Sequence, residues 1–265
     1  MRVLRTIAEA RAELPREGIG LVATMGALHA GHVALLRAAR PENGTVVASI
    51  FVNPAQFGPE EDYAEYPRDE AHDLHVAEEE GVDFVFAPSV EEMYPDGFQT
   101  WVEVERVAEG LEGAARPDHF RGVATACLKL FNVVRPERAY FGQKDAQQAA
   151  LVEQLVGDLN LPVEIRLVPT VRDDDGLALS SRNTLLSAEE RTAATALPRA
   201  LSSGRQAYSS GDDPVAAARA VLATEPGLDV DYVETARFNG RTHLLAAVRA
   251  GQTRLIDNVL LEGSL

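Results

Sequence analysis

The residues of this chain best suited to chemistry sit together in one short stretch, Thr24-Met25-Gly26-Ala27-Leu28-His29-Ala30-Gly31-His32. It follows an apolar run over 19–22 that reads as a buried strand, and it leads into 33–39, whose apolar spacing is helical. The stretch is therefore a strand, a tight turn and a helix start. Gly26 lets the backbone turn close to a ligand, and free amides at a helix start make an anion site. Two imidazoles three residues apart project from one face of the first helical turn if the helix begins near Leu28. There they could donate hydrogen bonds to phosphate oxygens as charge builds up in a phosphoryl or nucleotidyl transfer. A surface turn with two solvated histidines fits this motif, taken alone, equally well.

Other candidates lie further along. The chain has only two lysines, Lys129 and Lys144, so its positive charge is nearly all arginine. Lys144 and Asp145, after a strand and at a helix start, could set a compact ammonium against a nucleotide α-phosphate. A solvated loop lysine is the simpler alternative. Ser180-Ser181-Arg182 offers two hydroxyls and a forked cation on a loop able to close over a triphosphate. It could equally be a helix-capping serine pair with a surface arginine. Gln56 and Gln148 are neutral two-sided hydrogen bonders suited to a small hydroxy acid, or plain surface residues. Arg116-Pro117-Asp118-His119-Phe120-Arg121 is a basic loop whose charges could be paired to nearby carboxylates. His29, His32 and Cys127 lack the spacing of a structural zinc site. Neither a P-loop nor a dinucleotide glycine fingerprint occurs.

The elements that must position these residues alternate. The chain has 265 residues, 46% hydrophobic and 25% charged, enough for one large domain or a larger and a smaller one. Its formal net charge of −16 disfavours a grip on long nucleic acid backbones, so an anionic ligand needs a local positive island. The single Cys127 excludes an internal disulfide and fits a cytosolic location. Residues 1–14 read as neither signal peptide nor anchor, and no run approaches a membrane span.

A capping box at Thr6 to Glu9 starts a short helix. Strands are expected at 45–51, 83–86, 138–141 and 163–168, an edge strand at 101–105, and helices at 69–80, 122–134 and 145–156. A long polar loop fills 52–68. This alternation predicts a doubly wound parallel sheet, in which ligands bind beyond the C-terminal strand ends. The histidine turn, the Asn53 to Gln56 loop and the Gly142 to Asp145 turn all occupy such ends. From Pro169 the pattern changes to a smaller α+β domain. It has a turn at 173–176, a second capping box at Ser187, and a helix opened by Asp213-Pro214. Two late strands, 230–235 and 254–261, flank a polar segment. The Ser202-Ser203-Gly204 and Ser209-Ser210-Gly211 clusters read as loops.

Taken in order, the stretch 24–32, Ser49-Ile50-Phe51-Val52-Asn53-Pro54-Ala55-Gln56-Phe57-Gly58, Phe120-Arg121-Gly122-Val123-Ala124-Thr125, Tyr140-Phe141-Gly142-Gln143-Lys144-Asp145 and Ser180-Ser181-Arg182-Asn183 resemble the pantothenate synthetase (pantoate–β-alanine ligase) family. The resemblance runs over almost the whole chain, and five ordered motifs are far more specific than one.

It implies an α/β fold: a Rossmann-like doubly wound sheet of the nucleotidyltransferase type binding nucleotide and pantoate over 1–168, and a C-terminal α+β lid domain over 169–265. It implies ATP-dependent joining of (R)-pantoate to β-alanine through a pantoyl adenylate, with release of pyrophosphate and AMP. By matching position, Met25, Gly26, Ala27, Leu28, His29, Ala30, Gly31 and His32 would hold ATP, with His32 as proton donor. Gly142, Gln143, Lys144, Asp145, Val171, Leu179, Ser180, Ser181 and Arg182 would complete the nucleotide site, with Lys144 at the α-phosphate. Gln56 and Gln148 would bind pantoate, Gln56 would also help place β-alanine, and Asn53 belongs to the same substrate loop. Arg116 lies in a loop that in relatives reaches the site from the dimer interface. Magnesium and a cytoplasmic homodimer are implied, with no nucleic acid or membrane partner.

Three departures from the family pattern are Ala23 for a frequent proline, Gln143 for a usual glutamate and Leu179 for a usual methionine. None removes a group assigned to chemistry. The same H-x-G-H turn occurs in class I aminoacyl-tRNA synthetases, against which the net charge counts. A catalytically silent nucleotide-binding protein is the other competing class.

Overall fold

A computed structural model describes residues 1–58, 63–64 and 66–265. The parts of the expected polar loop at 59–62 and 65 lie outside the described residues. The chain clusters into two compact units. One is Met1–Gly142 with Gln147–Val168, and the other is Gln143–Ala146 with Pro169–Leu265.

The first unit carries strands β1 (Arg2–Leu4), β2 (Ile19–Thr24), β3 (Thr45–Ile50), β4 (Phe84–Phe86), β5 (Arg138–Gly142) and β6 (Glu164–Val168). They form one all-parallel sheet in the order β1-β4-β3-β2-β5-β6. Helices α1 (Ile7–Glu13), α2 (Ala30–Ala39), α3 (Glu70–Glu79), α4 (Val90–Met93), α5 (Leu111–Ala115), α6 (His119–Val134) and α7 (Ala146–Asp158) connect them. Alternate strand residues feed two separate cores. Ile19, Leu21, Val47, Ala139 and Phe141 face one, and Val22, Val46, Ala48 and Tyr140 face the other. Burial on both faces is why these strands read as continuous apolar runs.

Chain order runs outward from β2 through β3 to β4, then returns to β5 on the other flank of β2. The C-terminal ends of β2 and β5 therefore meet at the switch point of a doubly wound sheet, where such folds bind ligands.

The second unit holds α8 (Ala188–Ala194), α9 (Ala196–Ser210), α10 (Pro214–Leu222) and an antiparallel sheet of β7 (Leu228–Phe238), β8 (Arg241–Ala250) and β9 (Thr253–Glu262) in that order. The helices and the inner sheet face share a core of Leu177, Leu197, Leu201, Leu222, Leu244 and Val248 among others.

Several expectations are corrected. β1 is too short to register in the apolar pattern. Residues 101–104 form no strand. The Val102 amide donates to Thr125 Oγ1 on α6 at 3.0 Å, and Trp101 stacks on Tyr94 at 5.8 Å, so no ladder forms. The segment expected to be polar between two late strands contains β8, alanine-rich yet buried almost throughout.

The serine clusters are not loops. Ser202, Ser203 and Gly204 lie inside α9, and Ser209 and Ser210 end it, with Gly211 left-handed at φ 84°. A Cβ on Gly204 would stand 2.3 Å from Leu244 Cδ2 and 2.7 Å from the Pro214 carbonyl oxygen. That close approach of helix, sheet and α10 explains a glycine within a helix.

Cys127 is buried on α6, and burial pushes its thiol from an ordinary 9.0 up to about 12. Folding favours the protonated thiol, so its contribution to stability is full below about pH 9 and declines as the pH rises toward 12. Because the thiolate is the nucleophile, native protein at pH 8 should react with a chromogenic disulfide reagent only as fast as it opens. Stoichiometric labelling within seconds would contradict this placement.

Candidate active site

In the first unit, β2 delivers the histidine turn. Helix α2 starts at Ala30, two residues later than expected, with His29 as its N-cap. His29 Nδ1 accepts from the Gly31 amide at 3.1 Å, and His32 Nδ1 accepts from the His29 amide at 3.3 Å. The two imidazoles thus occupy the roles usually filled by Ser or Thr and Glu in a capping box. Their ring centroids are 4.2 Å apart with a 43° tilt. A nitrogen that accepts from a backbone N–H carries no proton, so each neutral ring is the Nε2–H tautomer. The cap therefore leaves the proton of each neutral ring on Nε2.

The expectation of free amides in this turn is not met. Gly26 N–H donates to Thr24 Oγ1 at 3.1 Å, and Ala27 and Leu28 donate to the carboxylate of Asp73 at 2.9 and 2.7 Å. The His32 amide donates to the His29 carbonyl at 2.8 Å. Those amides are engaged inside the protein.

Nothing in the sequence singles out Asp73, 1% exposed on α3. One carboxylate in an acidic helix gives no signal until the fold sets it under the turn. Gly26, at φ 85°, sits against it, and a Cβ there would lie 2.7 Å from Asp73 Oδ2.

The Pro54–Gln56 turn follows β3. Asn53, 1% exposed, spends its whole side-chain amide within the unit. Nδ2 donates to Gln56 Oε1 at 3.0 Å and to the Gly122 carbonyl at 3.1 Å, while Oδ1 accepts from Tyr94 Oη at 2.9 Å and the Ala55 amide at 3.2 Å. That fully satisfied set fixes Gln56, whose Nε2 faces the Met25 sulfur.

His119 also acts on Gln56. Its Nε2 lies 3.1 Å from Arg116 Nη1, a donor, so Nδ1 bears the proton and donates to the Gln56 carbonyl at 2.8 Å. Arg116 Nη2 is 3.4 Å from the same carbonyl. Arg116 is thus tied to Gln56 of its own chain, and Arg121 to Asp118 at 3.4 Å. On α7 the buried Gln147 ties down the carbonyls of Val107, Glu109 and Gly110, while the half-buried Gln148 lies about 100° round the helix. Gly142 is the last residue of β5.

The remaining sequence candidates belong to the second unit. Gln143–Asp145 forms one 3-10 turn, with Lys144 18% exposed and its Nζ 3.9 Å from Asp145 Oδ1. Val171 and Leu179 face each other across a small hairpin, the Leu179 amide donating to the Val171 carbonyl at 3.0 Å. The hairpin is tied on two sides. Arg172 forks onto Asp257 at 2.6 and 3.0 Å, and Arg191 reaches Asp173 at 2.5 Å and Asp175 at 2.8 Å. The Arg191 guanidinium holds the Asp173 carboxyl below the usual range.

Ser180 Oγ accepts from the Arg182 amide at 3.3 Å, so this serine is a cap. Arg182 is exposed and makes no ion pair among the described residues. Among those residues, no group of three or more His, Cys, Asp or Glu could hold a metal ion, and no helix is long and apolar enough to cross a membrane.

Asp73→Ala would strip two amides of their acceptor. The unfolding free energy should fall by about 1–3 kcal/mol, read from urea unfolding at pH 7. An unchanged midpoint would show that the carboxylate is not what holds the turn.

The arrangement has close counterparts. A curated pantothenate synthetase of Chloroflexus aurantiacus is 56% identical over 99% of both chains, and one from Moorella thermoacetica is 51% identical over 99% of both. A crystal structure of the Thermus thermophilus pantothenate synthetase superposes with a TM-score of 0.95 at 48% identity, covering 99% of this chain and 100% of that one. The Francisella tularensis pantoate–β-alanine ligase, solved in complex with beta-gamma ATP and β-alanine, gives 0.84 at 36% identity over 100% and 99%. With the family model for pantoate–β-alanine ligase matching residues 2–260, the chain belongs to the pantoate–β-alanine ligase family.

Proposed function

We propose that this chain performs its family's ATP-dependent ligation of (R)-pantoate to β-alanine with the following division of labour. ATP is held by the turn from Met25 to His32, by Gly142, Gln143, Lys144 and Asp145, and by Val171, Leu179, Ser180, Ser181 and Arg182. A pantoate carboxylate oxygen attacks the α-phosphorus and pyrophosphate leaves. The Nε2–H groups of His29 and His32 donate to phosphate oxygens as negative charge moves onto them, and the Lys144 ammonium neutralises the α-phosphate.

The β-alanine amine then attacks the acyl carbon, loses a proton and expels AMP. Activation is required because a carboxylate is a poor electrophile and AMP is a good leaving group. Gln56 and Gln148 grip pantoate, Asn53 and His119 act through Gln56, and Arg116 steadies the same loop. A magnesium ion would come bound to the triphosphate, since that ion needs few protein ligands. Residues 1–168 serve as the nucleotide- and pantoate-binding domain and 169–265 as the lid, in a cytoplasmic homodimer.

The single observation that supports this most is the paired imidazole cap, with both Nδ1 atoms engaged by backbone amides at the switch point of a parallel sheet. With ATP, magnesium, pantoate and β-alanine all present, AMP and pyrophosphate should appear in equal amounts, and omission of either ATP or pantoate should abolish both. A silent nucleotide binder would bind ATP without turnover. His32→Ala and Lys144→Ala should each slow adenylate formation by about 10²-fold or more with the fold intact. Near-normal turnover in both would remove the assignment.

A further inference from the structure

We infer that Asn258, on the last strand of the chain, is the positioning residue for Lys144; this rests on the proposed role of Lys144 at the α-phosphate. The Gln143–Asp145 turn clusters with the C-terminal unit, and its attachment there is specific. Asn258 Nδ2 donates to the Gln143 carbonyl at 2.8 Å and to the Lys144 carbonyl at 2.9 Å. Two successive carbonyls held by one side-chain amide fix the two peptide planes that meet at the Lys144 Cα, and with them the direction in which the side chain leaves.

The amide is itself locked. With both N–H bonds used on carbonyls, Oδ1 faces His243 Nδ1 at 3.2 Å on β8, which must then be the N–H donor. Asn258 and His243 are 2% and 3% exposed, so no water competes for these bonds cheaply. An apolar side chain would pack against a strand neighbour as well. What singles out asparagine is two donors and one acceptor in a plane.

The preceding residue serves the other expected phosphate segment. Asp257 Oδ1 accepts from the Asn258 amide at 2.8 Å, and the carboxylate takes the bidentate fork of Arg172, whose neighbour Val171 opens the hairpin leading to Ser180 and Arg182. Successive residues of one strand thus register the lysine turn and the serine-arginine turn against one rigid sheet. Sites need such support because a misplacement of about 1 Å costs on the order of 10²-fold in rate.

The test is a double-mutant cycle on pyrophosphate release in the adenylation half-reaction, with Asn258→Ala, Lys144→Ala and the double variant, each checked for folding by circular dichroism and melting. Asn258→Ala should lower kcat by about 10-fold to 10²-fold with KM for pantoate little changed. In the Lys144→Ala background the same substitution should change the rate by less than about twofold, because the group it positions is gone. Asn258→Asp, equal in size but bringing a carboxylate against two carbonyl oxygens, should behave alike and carries the test if the alanine variant does not fold.

Equal losses in both backgrounds, or no loss in either, would overturn the inference. Normal turnover in Lys144→Ala alone would overturn the reading it rests on, a result separable from the first two.

Discussion

A buried carboxylate under a backbone turn is the constraint on which the candidate site depends. Asp73 is nearly inaccessible, and a carboxylate so placed must be hydrogen-bonded. It takes the amides of Ala27 and Leu28, and that choice propagates. Residue 26 must be glycine because a Cβ would collide with Asp73. The turn can offer few backbone donors to an anion, because they already serve the protein. Helix α2 is then capped by an imidazole rather than a hydroxyl, and the cap sets the tautomer of both rings. A helix start capped by two imidazoles rather than a glycine-rich amide nest is the outcome. It accords with the lack of a P-loop in the sequence.

Electrostatics follow the same economy. At a formal charge of −16 the protein has carboxylates to spare, and many arginines are engaged in forked or paired contacts. Arg5 meets Glu70, Arg37 meets Glu80, Arg172 meets Asp257 and Arg254 meets Asp231. An exposed pair such as Arg5–Glu70 contributes little to stability, whereas the Asp257 carboxylate that meets Arg172 is buried, and all four pairs consume positive charge. The half-hidden Lys144 lies 3.9 Å from Asp145, while the exposed Arg182 makes no ion pair among the described residues. Both are anchored within the C-terminal unit, by strand residues and by a hairpin held between two arginines.

Much of the sheet was legible because parallel strands buried on two faces are uninterrupted apolar runs. Residues 19–22 and 45–51 show it. The capping boxes at Thr6 and Ser187 and the Asp213-Pro214 start were legible because each is a local signal with a local mechanism, and all three form. What escaped was set by tertiary contact. Gly204 sits inside a helix because Leu244 and α10 press on it, and β8 is a strand despite its alanines because it is the middle of three. Residues 101–104 looked like an edge strand but bond to Thr125 on a helix instead.

The same division holds for the site. The His29/His32 turn stands out by residue type and spacing, whereas Gln56 and Lys144 are singled out only by the resemblance of their motifs to the family. Asp73, Tyr94 and Asn258 carry no such signal, and His119 shows only as part of a basic loop, since each acts through a partner far from it in sequence.

The most direct measurement of the central claim is the protonation of the two imidazoles in solution, read from long-range nitrogen–proton NMR correlations of histidine-labelled protein above their titration range. His29 and His32 should both be Nε2–H tautomers, each with an unprotonated, hydrogen-bonded Nδ1. An Nδ1–H signal at either ring would mean that the backbone does not hold it as described, and the paired-donor site would fall with it.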